Sequence, residues 1–134
     1  MIFLNAQEVK HLFVDEDLVI KYKKRSDVYL IDIKRELTKQ PVYYKIYEYY
    51  QNLCNTFYAI IEQLLDGTCE TESDLRAISE EFYKACTSFI KQCESIISER
   101  SYDFVCKCVE NLKKVIDKIV YISCNYCFDV DDEE

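Results

Sequence analysis

The chain has one glycine, one proline, one histidine and no tryptophan in 134 residues. So little glycine makes backbone positions with positive φ scarce, which excludes glycine-rich nucleotide-binding loops and sheets with many tight turns. The single histidine, His11, leaves histidine-based nucleophilic triads and multi-histidine metal sites without their parts. We therefore expect no catalytic residues and predict that the protein is not an enzyme.

Long apolar runs are also missing, because no window approaches 18 uncharged apolar residues. We expect no membrane span, and the short apolar start of the chain does not resemble a signal peptide. Eight cysteines without such a signal are expected to be reduced thiols in the cytoplasm. The composition, poor in Gly, Ala and Pro but rich in Lys, Ile and Tyr, suggests an AT-rich viral or parasite genome. A viral protein would then lie in the host cytoplasm or nucleus.

The formal charge of −8 is unevenly distributed. Residues 1–40 carry eight Lys and Arg against seven Asp and Glu, whereas residues 41–134 carry nine against eighteen. The acidic part is expected to repel nucleic acid.

Apolar periodicity predicts three long amphipathic helices at about 42–65, 72–98 and 102–127. A change of phase near Ser98–Ser101 predicts a turn or kink there, with Ser101 as the candidate cap of the third helix and one long bent helix as the alternative. Gly67 is placed to end the first helix. The fold class is therefore mainly α, an antiparallel three-helix bundle. In the first helix the seam positions repeat every seven residues, as Ile46, Leu53 and Ile60 with Tyr50, Phe57 and Leu64 four residues after each.

The first 40 residues are predicted to pack on this bundle as a short helix plus a β-hairpin. Alternation over 17–33 favours the hairpin, although a helix from Ser26 to Gln40 fits nearly as well. Asn5 and Glu8 have the spacing of a capping box for the short helix. We predict a single domain over residues 1–128, with 1–40 packed on 41–128, followed by an acidic tail at 129–134.

Five tyrosines crowd two turns of the first predicted helix at angles that cannot all face one core. Aromatic residues of this kind are enriched at protein interfaces. They predict a surface for a protein partner or for self-association, in a homodimer or a hetero-complex, unless the N-terminal residues cover them. These candidates are Tyr43, Tyr44, Tyr47, Tyr49 and Tyr50.

A run of basic residues lies between positions 21 and 35 and is the only concentration of positive charge. On a hairpin tip it could contact phosphates, which makes a nucleic-acid-associated regulator the second hypothesis. A solvated turn is the simpler interpretation. The candidates are Lys21, Lys23, Lys24, Arg25, Lys34 and Arg35.

Cysteines provide the third hypothesis, a small zinc-binding structural protein. Cys124 and Cys127 have a metal-ligand spacing, with Cys69, Cys54 or a second chain as sources of further ligands. One metal cannot collect this pair and Cys106-Lys-Cys108 if the third helix is continuous, because a helix would separate the pairs by about 24 Å. Cys86, Cys93 and Cys108 fall on apolar seams and are expected to be core residues.

The leading hypothesis is a non-enzymatic, helical protein–protein interaction protein. It would be a host-modulating or virion-associated factor acting through its aromatic helix surface. No cofactor is expected, apart from zinc under the third hypothesis.

Overall fold

The structure is a computed structural model that describes residues 12–39 and 45–132, with side chains described as far as Cys124. Within these ranges the chain contains four helices and no β-strand. The helices are α1 (Glu16–Leu37), α2 (Tyr47–Asp66), α3 (Glu72–Ile96) and α4 (Glu99–Asp132).

Local capping residues set several of the helix boundaries. Asp15 caps α1, because its side chain accepts a hydrogen bond from the backbone N–H of Leu18. Thr71 and Asp74 form a reciprocal capping box at the start of α3. Gly67 ends α2 with a φ of 81°, a left-handed conformation that glycine adopts without a steric penalty. These three helix ends are therefore encoded locally, whereas α2 begins after the buried Ile46 without a side-chain cap hydrogen bond.

The four helices run up and down around one core. Both α1 and α3 pack against α2 and α4. Neighbouring helices are antiparallel: Tyr50, early in α2, bonds to Leu30 of α1, whereas the later Tyr58 bonds to the earlier Asp27. A connection of only two residues, 97–98, likewise reverses the chain between α3 and α4. The arrangement is an up-down-up-down four-helix bundle.

The predicted seams form the core. Phe57, Phe82 and Phe89 are fully buried, and the ring centroids of Phe57 and Phe82 lie 5.8 Å apart. Ser26 and Ser79 are also buried, and neither hydroxyl has a hydrogen-bond partner among the described residues. Other buried seam residues are Leu53, Ile60 and Leu64 on α2, Leu75, Cys86 and Cys93 on α3, and Val105, Leu112 and Ile119 on α4.

The predicted hairpin at 17–33 is wrong, because this segment is helix α1, and the described part of the chain therefore forms a bundle of four helices rather than three. The alternative helix from Ser26 had covered the second half of α1. Alternation was misleading because α1 carries aliphatic residues on two faces, which hides the helical period. Val19, Leu30, Ile33 and Leu37 enter the core, and Ile20, Val28 and Ile31 face outward.

The predicted break between the last two helices is confirmed, but Ser101 does not cap α4. The helix begins at Glu99, and the Ser98 hydroxyl accepts a hydrogen bond from the Ser101 backbone N–H at 3.3 Å. At its other end α4 continues past the predicted residue 127 into the acidic segment, as far as Asp132. The short helix expected from Asn5 lies outside the described residues, apart from positions 12–15, which are not helical.

Candidate interaction surface

The outward face of α1 carries a line of exposed aliphatic side chains. Ile20, Val28 and Ile31 are 40%, 55% and 52% exposed. Together with Lys24 and Arg35 they are spaced by three or four residues, which places all five on one side of the helix. Single exposed apolar residues are ordinary, but three in one line form a patch that water solvates poorly.

Most of the predicted basic residues lie on the same helix and are exposed. Lys21, Lys24, Arg25, Lys34 and Arg35 are all exposed, and Lys23 is half-buried. Lys21 and Lys24 form no ion pair with another described residue. Arg35 is 3.7 Å from Asp32 with 73% of its side chain exposed, so this pair leaves the guanidinium accessible. The helix therefore combines exposed aliphatic residues with accessible positive charge.

Lys23 differs from the other basic residues because it belongs to a cluster joining α1 to α2. Its Nζ lies 3.1 Å from Oδ2 of Asp27 and 5.3 Å from the ring centroid of Tyr58. The Tyr58 hydroxyl donates to Oδ1 of Asp27 at 2.7 Å. Burial and this carboxylate raise the pKa of Tyr58, so the hydroxyl stays a donor. Lys23 is thus engaged within the protein.

A groove of about 540 Å³ opens beside this cluster, between α1 and α2. Its lining includes the apolar side chains of Ile61 and Leu65 and the ring of Tyr58, together with Lys23 and Glu62. Ile20 lies one helical turn before Lys23 on α1, so the groove borders the exposed aliphatic line. A partner lying along α1 can place a side chain in it.

A second cleft, of about 300 Å³, separates α1 from α4 and is basic. Arg25, Lys114 and Lys118 line it together with Tyr22 and Tyr29. The Arg25 guanidinium lies 5.3 Å from the ring centroid of Tyr22, a cation–π arrangement. Positive charge therefore extends from α1 onto α4.

The predicted tyrosine surface on α2 is divided between core and solvent. Tyr50 is buried and donates to the backbone oxygen of Leu30 at 2.8 Å. Tyr47 is half-buried, with its ring centroid 5.5 Å from that of Tyr50, and Tyr49 is 38% exposed. Tyr43 and Tyr44 lie outside the described residues. Of the three predicted surface tyrosines that the structure describes, only Tyr49 presents an exposed ring.

The cysteines expected in the core are there. Cys86, Cys93 and Cys108 are buried, and burial raises the pKa of their thiols to about 12, 12 and 11. They are protonated at neutral pH and serve as small apolar side chains. α4 is continuous, so Cys106 and Cys108 are separated from the Cys124 end of that helix as predicted.

The predicted zinc ligand Cys124 lies near the end of the bundle where α2 and α3 are joined. Cys69, in that connection, is buried; burial, Asp74 and Cys124 together raise the pKa of its thiol to about 11. The side chain of Cys127 lies outside those described. Within the described residues, no three His, Cys, Asp or Glu side chains are grouped to hold a metal ion.

Sequence reasoning did not identify the aliphatic line on α1. Ile20, Val28 and Ile31 were visible as apolar residues but were assigned to faces of two strands. These residues alternate with Lys24 and Arg35 at intervals of three or four positions, which is the spacing of one helix face. The aliphatic residues of the same segment that face the core hid this pattern.

Comparison with known proteins does not assign the chain to a family. None of the described helices is at once long and apolar enough to cross a bilayer. No family model, no curated protein and no solved structure matches this chain.

Proposed function

We propose that this chain is a non-enzymatic interaction protein whose outward α1 face docks on another protein. The partner presents an apolar groove rimmed by carboxylates, and the cytoplasm is the compartment we propose for the complex. The observation that carries the proposal is the line of Ile20, Val28 and Ile31, exposed on the same helix face as Lys24 and Arg35. A helix with this pattern is suited to a hydrophobic groove in a partner.

The aliphatic side chains favour a protein over a nucleic acid. Burying the exposed half of an isoleucine contributes roughly 1 kcal/mol, and a phosphate backbone offers no apolar surface for it. The net charge of residues 41–134 is strongly negative, so a long polyanion meets repulsion beyond α1 and the basic cleft that α1 forms with α4. A protein groove contacts α1 alone and avoids that repulsion.

The positive charges favour a carboxylate rim around that groove. Lys21 and Lys24 make no ion pair with other described residues, and Arg35 keeps most of its guanidinium exposed. Complementary charges at the edge of an interface speed association and select the partner. Burial of the aliphatic side chains would thus stabilise the complex, and the positive charges would select a partner with carboxylates.

Site-specific photocrosslinking tests the proposal with the full chain in the cells that produce it. A photoreactive phenylalanine analogue is introduced at Val28, and, as a matched control, at Ala77, which is exposed on α3. We expect one protein to crosslink at position 28 and not at position 77. Crosslinking to nucleic acid, to a second copy of this chain, or equally at both positions would contradict the proposal.

Charge substitutions then test the chemistry of the contact. Ile31→Glu and Lys24→Glu should each lower the crosslinked yield about tenfold, since each removes on the order of 1 kcal/mol or more and adds repulsion. Ala77→Glu should leave the yield unchanged. All three side chains are solvent-accessible, so thermal unfolding midpoints should match those of the original chain. A yield unaffected by Ile31→Glu would show that α1 is not the docking face.

A further inference from the structure

The cleft between α1 and α4 has a charge opposite to that of the protein as a whole. Its volume is about 300 Å³, and the charged residues that line it are all basic, namely Arg25 from α1 and Lys114 and Lys118 from α4. Asn111 and two tyrosines contribute further polar side chains to the lining. Because the chain has 25 Asp and Glu against 17 Lys and Arg, a cleft lined by cations alone is not what its composition favours.

Contacts at both ends of the helix pair fix how α1 lies against α4. Just before α1 the Phe13 N–H donates to the Ser123 carbonyl at 3.2 Å, and near the end of α1 the Ser101 hydroxyl donates to Glu36 at 2.6 Å. The two helices are therefore antiparallel, with their middle parts side by side. Since Arg25 and the two lysines all lie within these helices, the packing of the bundle itself brings the three cations together.

On α4 the carboxylates nearest in sequence to the two lysines are bound elsewhere. Glu110 lies 3.6 Å from Nζ of Lys113, and Asp117 accepts a hydrogen bond from a tyrosine hydroxyl of α3. Lys114 and Lys118 form no ion pair with a described residue. Both are exposed, and because they are four positions apart they share one face of the helix and repel each other.

On α1 the cation of the cleft also lacks a carboxylate. Asp27, two residues further along, is bound by Lys23 at 3.1 Å and by the Tyr58 hydroxyl of α2 at 2.7 Å. Arg25 forms no ion pair with a described residue, and its guanidinium carbon lies 5.3 Å from the ring centroid of Tyr22. An aromatic ring face offers no acceptor oxygen, so the N–H donors of the guanidinium remain available to an anion.

We propose that this cleft binds the linked phosphates of a small molecule, with Arg25, Lys114 and Lys118 as the groups that neutralise them. A guanidinium donates two parallel hydrogen bonds to a phosphate, and a lysine ammonium contributes a point charge. Asn111 and the tyrosine hydroxyls of the cleft supply neutral donors. Binding is non-covalent and offsets the repulsion among the three cations.

The number of cations and the size of the cleft select this class of ligand. A single phosphate monoester carries a charge of about −1.5 to −2 at pH 7, which is less than three cations neutralise, whereas linked phosphates carry more. The volume of about 300 Å³ is at the small end of the range for ligand sites. A nucleic acid would extend beyond the cleft and be repelled by the acidic residues of 41–134.

The cleft is separate from the proposed docking face of α1. Tyr22, Arg25 and Tyr29 are spaced by three and four residues and line the cleft against α4, whereas Lys24 and Ile31 are exposed on another side of the helix. Phosphate binding therefore needs no protein partner. The proposal stands if docking on α1 fails.

Isothermal titration calorimetry of the full chain tests the cleft, with tripolyphosphate and a nucleoside triphosphate as probes in a buffer free of divalent cations. We expect each probe to bind at one site per chain and to raise the thermal unfolding midpoint. Equal affinities support a site that recognises the phosphates alone, and tighter binding of the nucleoside triphosphate supports a nucleotide as their source. If neither probe gives heat or raises the unfolding midpoint, the proposal is wrong.

Substitutions then locate the binding site. Arg25→Gln, Lys114→Gln and Lys118→Gln should each weaken tripolyphosphate binding about tenfold, since each removes a charge-assisted hydrogen bond. Lys84→Gln is the matched control, because it makes the same change of charge at an exposed lysine of α3 that does not line the cleft. All four side chains are exposed, so the unfolding midpoints of the free variants should match that of the original chain. Affinity that is unchanged in the cleft variants, or lowered equally in the control, would overturn the site.

Two further anions distinguish linked phosphates from other sources of negative charge. Citrate should bind more weakly than tripolyphosphate, because it carries less charge and fewer acceptor oxygens. A single-stranded oligonucleotide should bind no more tightly than the nucleoside triphosphate, because its remaining phosphates meet acidic surface. Citrate that binds as well as tripolyphosphate, or an oligonucleotide that binds more tightly than either probe, would contradict the assignment to a small phosphorylated molecule.

Discussion

Glu36 is a charged side chain placed where α1 meets the start of α4, and only 9% of the residue is exposed. The Ser101 hydroxyl donates to its Oε2 at 2.6 Å, and Nζ of Lys39 lies 3.1 Å from the carboxylate. Burial acts to raise the pKa of this carboxyl, but the bonds to Ser101 and Lys39 outweigh burial and hold the pKa below its usual range. The ionised form is thus stabilised by folding.

Glu36→Gln tests this residue through the pH dependence of stability. A carboxyl with a lowered folded pKa stabilises the protein above its ordinary pKa of about 4.3, and that contribution is lost as the pH falls through the folded pKa. We expect the variant to be about 1–2 kcal/mol less stable at pH 7, with the difference shrinking below about pH 4. Urea unfolding at several pH values measures the free energy of unfolding of both chains.

The exposed Glu62, near the end of α2, provides the control for this experiment. Glu62→Gln should change the free energy of unfolding by no more than about 0.5 kcal/mol at each of these pH values, because substitutions of exposed side chains away from caps and networks have small effects. A difference between Glu36→Gln and the original chain that stays constant from pH 7 to pH 3 would contradict the assigned role.

At the scale of elements, the end of α2 depends on a single glycine. Gly67 has a φ of 81°, and a Cβ added there meets no atom within 4 Å. Gly67→Ala should therefore cost about 1–2 kcal/mol through backbone strain alone, without a clash. Gly67→Asn should cost less, because asparagine tolerates the left-handed conformation better. Chemical denaturation of the two variants measures this order, and an alanine variant as stable as the glycine chain would show that α2 ends differently.

The helices that could be predicted from the sequence are those with one apolar face. In α2 the residues at the seam positions, such as Leu53, Phe57 and Ile60, are buried, and the polar residues between them face solvent. Their period of 3.5 residues fits a helix and not a strand, and Gly67 correctly marks the end of α2. Apolar periodicity and capping residues agree in this way for α2, and a single apolar face also made α3 and α4 predictable.

The apolar pattern did not predict the whole of α1 because this helix carries aliphatic residues on two faces, one buried in the core and one exposed. Leu30 and Ile33 serve the core, whereas Val28 and Ile31 are exposed between them. Ser26 further weakens the core pattern by placing a hydroxyl on the buried face. Local rules are expected to fail where a residue serves function instead of folding, and the failure here coincides with the proposed docking face.

The candidate site was predictable only in its charges. The basic run was predicted as a phosphate contact on a hairpin tip or as a solvated turn, and most of it is exposed, but on helix α1. The tyrosines were misleading as a group, because aromatic residues pack in cores as readily as at interfaces. Tyr50 illustrates this, since its ring is buried while its hydroxyl bonds to Leu30. Only tertiary packing decides which ring faces solvent.

For the molecule as a whole, the closed ring of helices makes α1 part of the core rather than a cover on it. Its four buried aliphatic residues are each no more than 3% exposed, and α1 fills the space between α2 and α4. Removing it would expose the apolar flanks of both neighbours along most of their length. A three-helix remainder cannot bury those flanks without repacking.

Deletion of residues 1–40 tests this directly, because it leaves the three helices first predicted from periodicity. We expect residues 41–134 to keep much helical circular dichroism but to lose cooperative unfolding and to bind a hydrophobic dye, since an unfilled core leaves apolar surface exposed. Val28→Ala in the full chain is the control and should unfold cooperatively, because that side chain faces outward. A fragment with a sharp unfolding transition near that of the full chain would mean that three helices suffice and that α1 serves only as a docking surface.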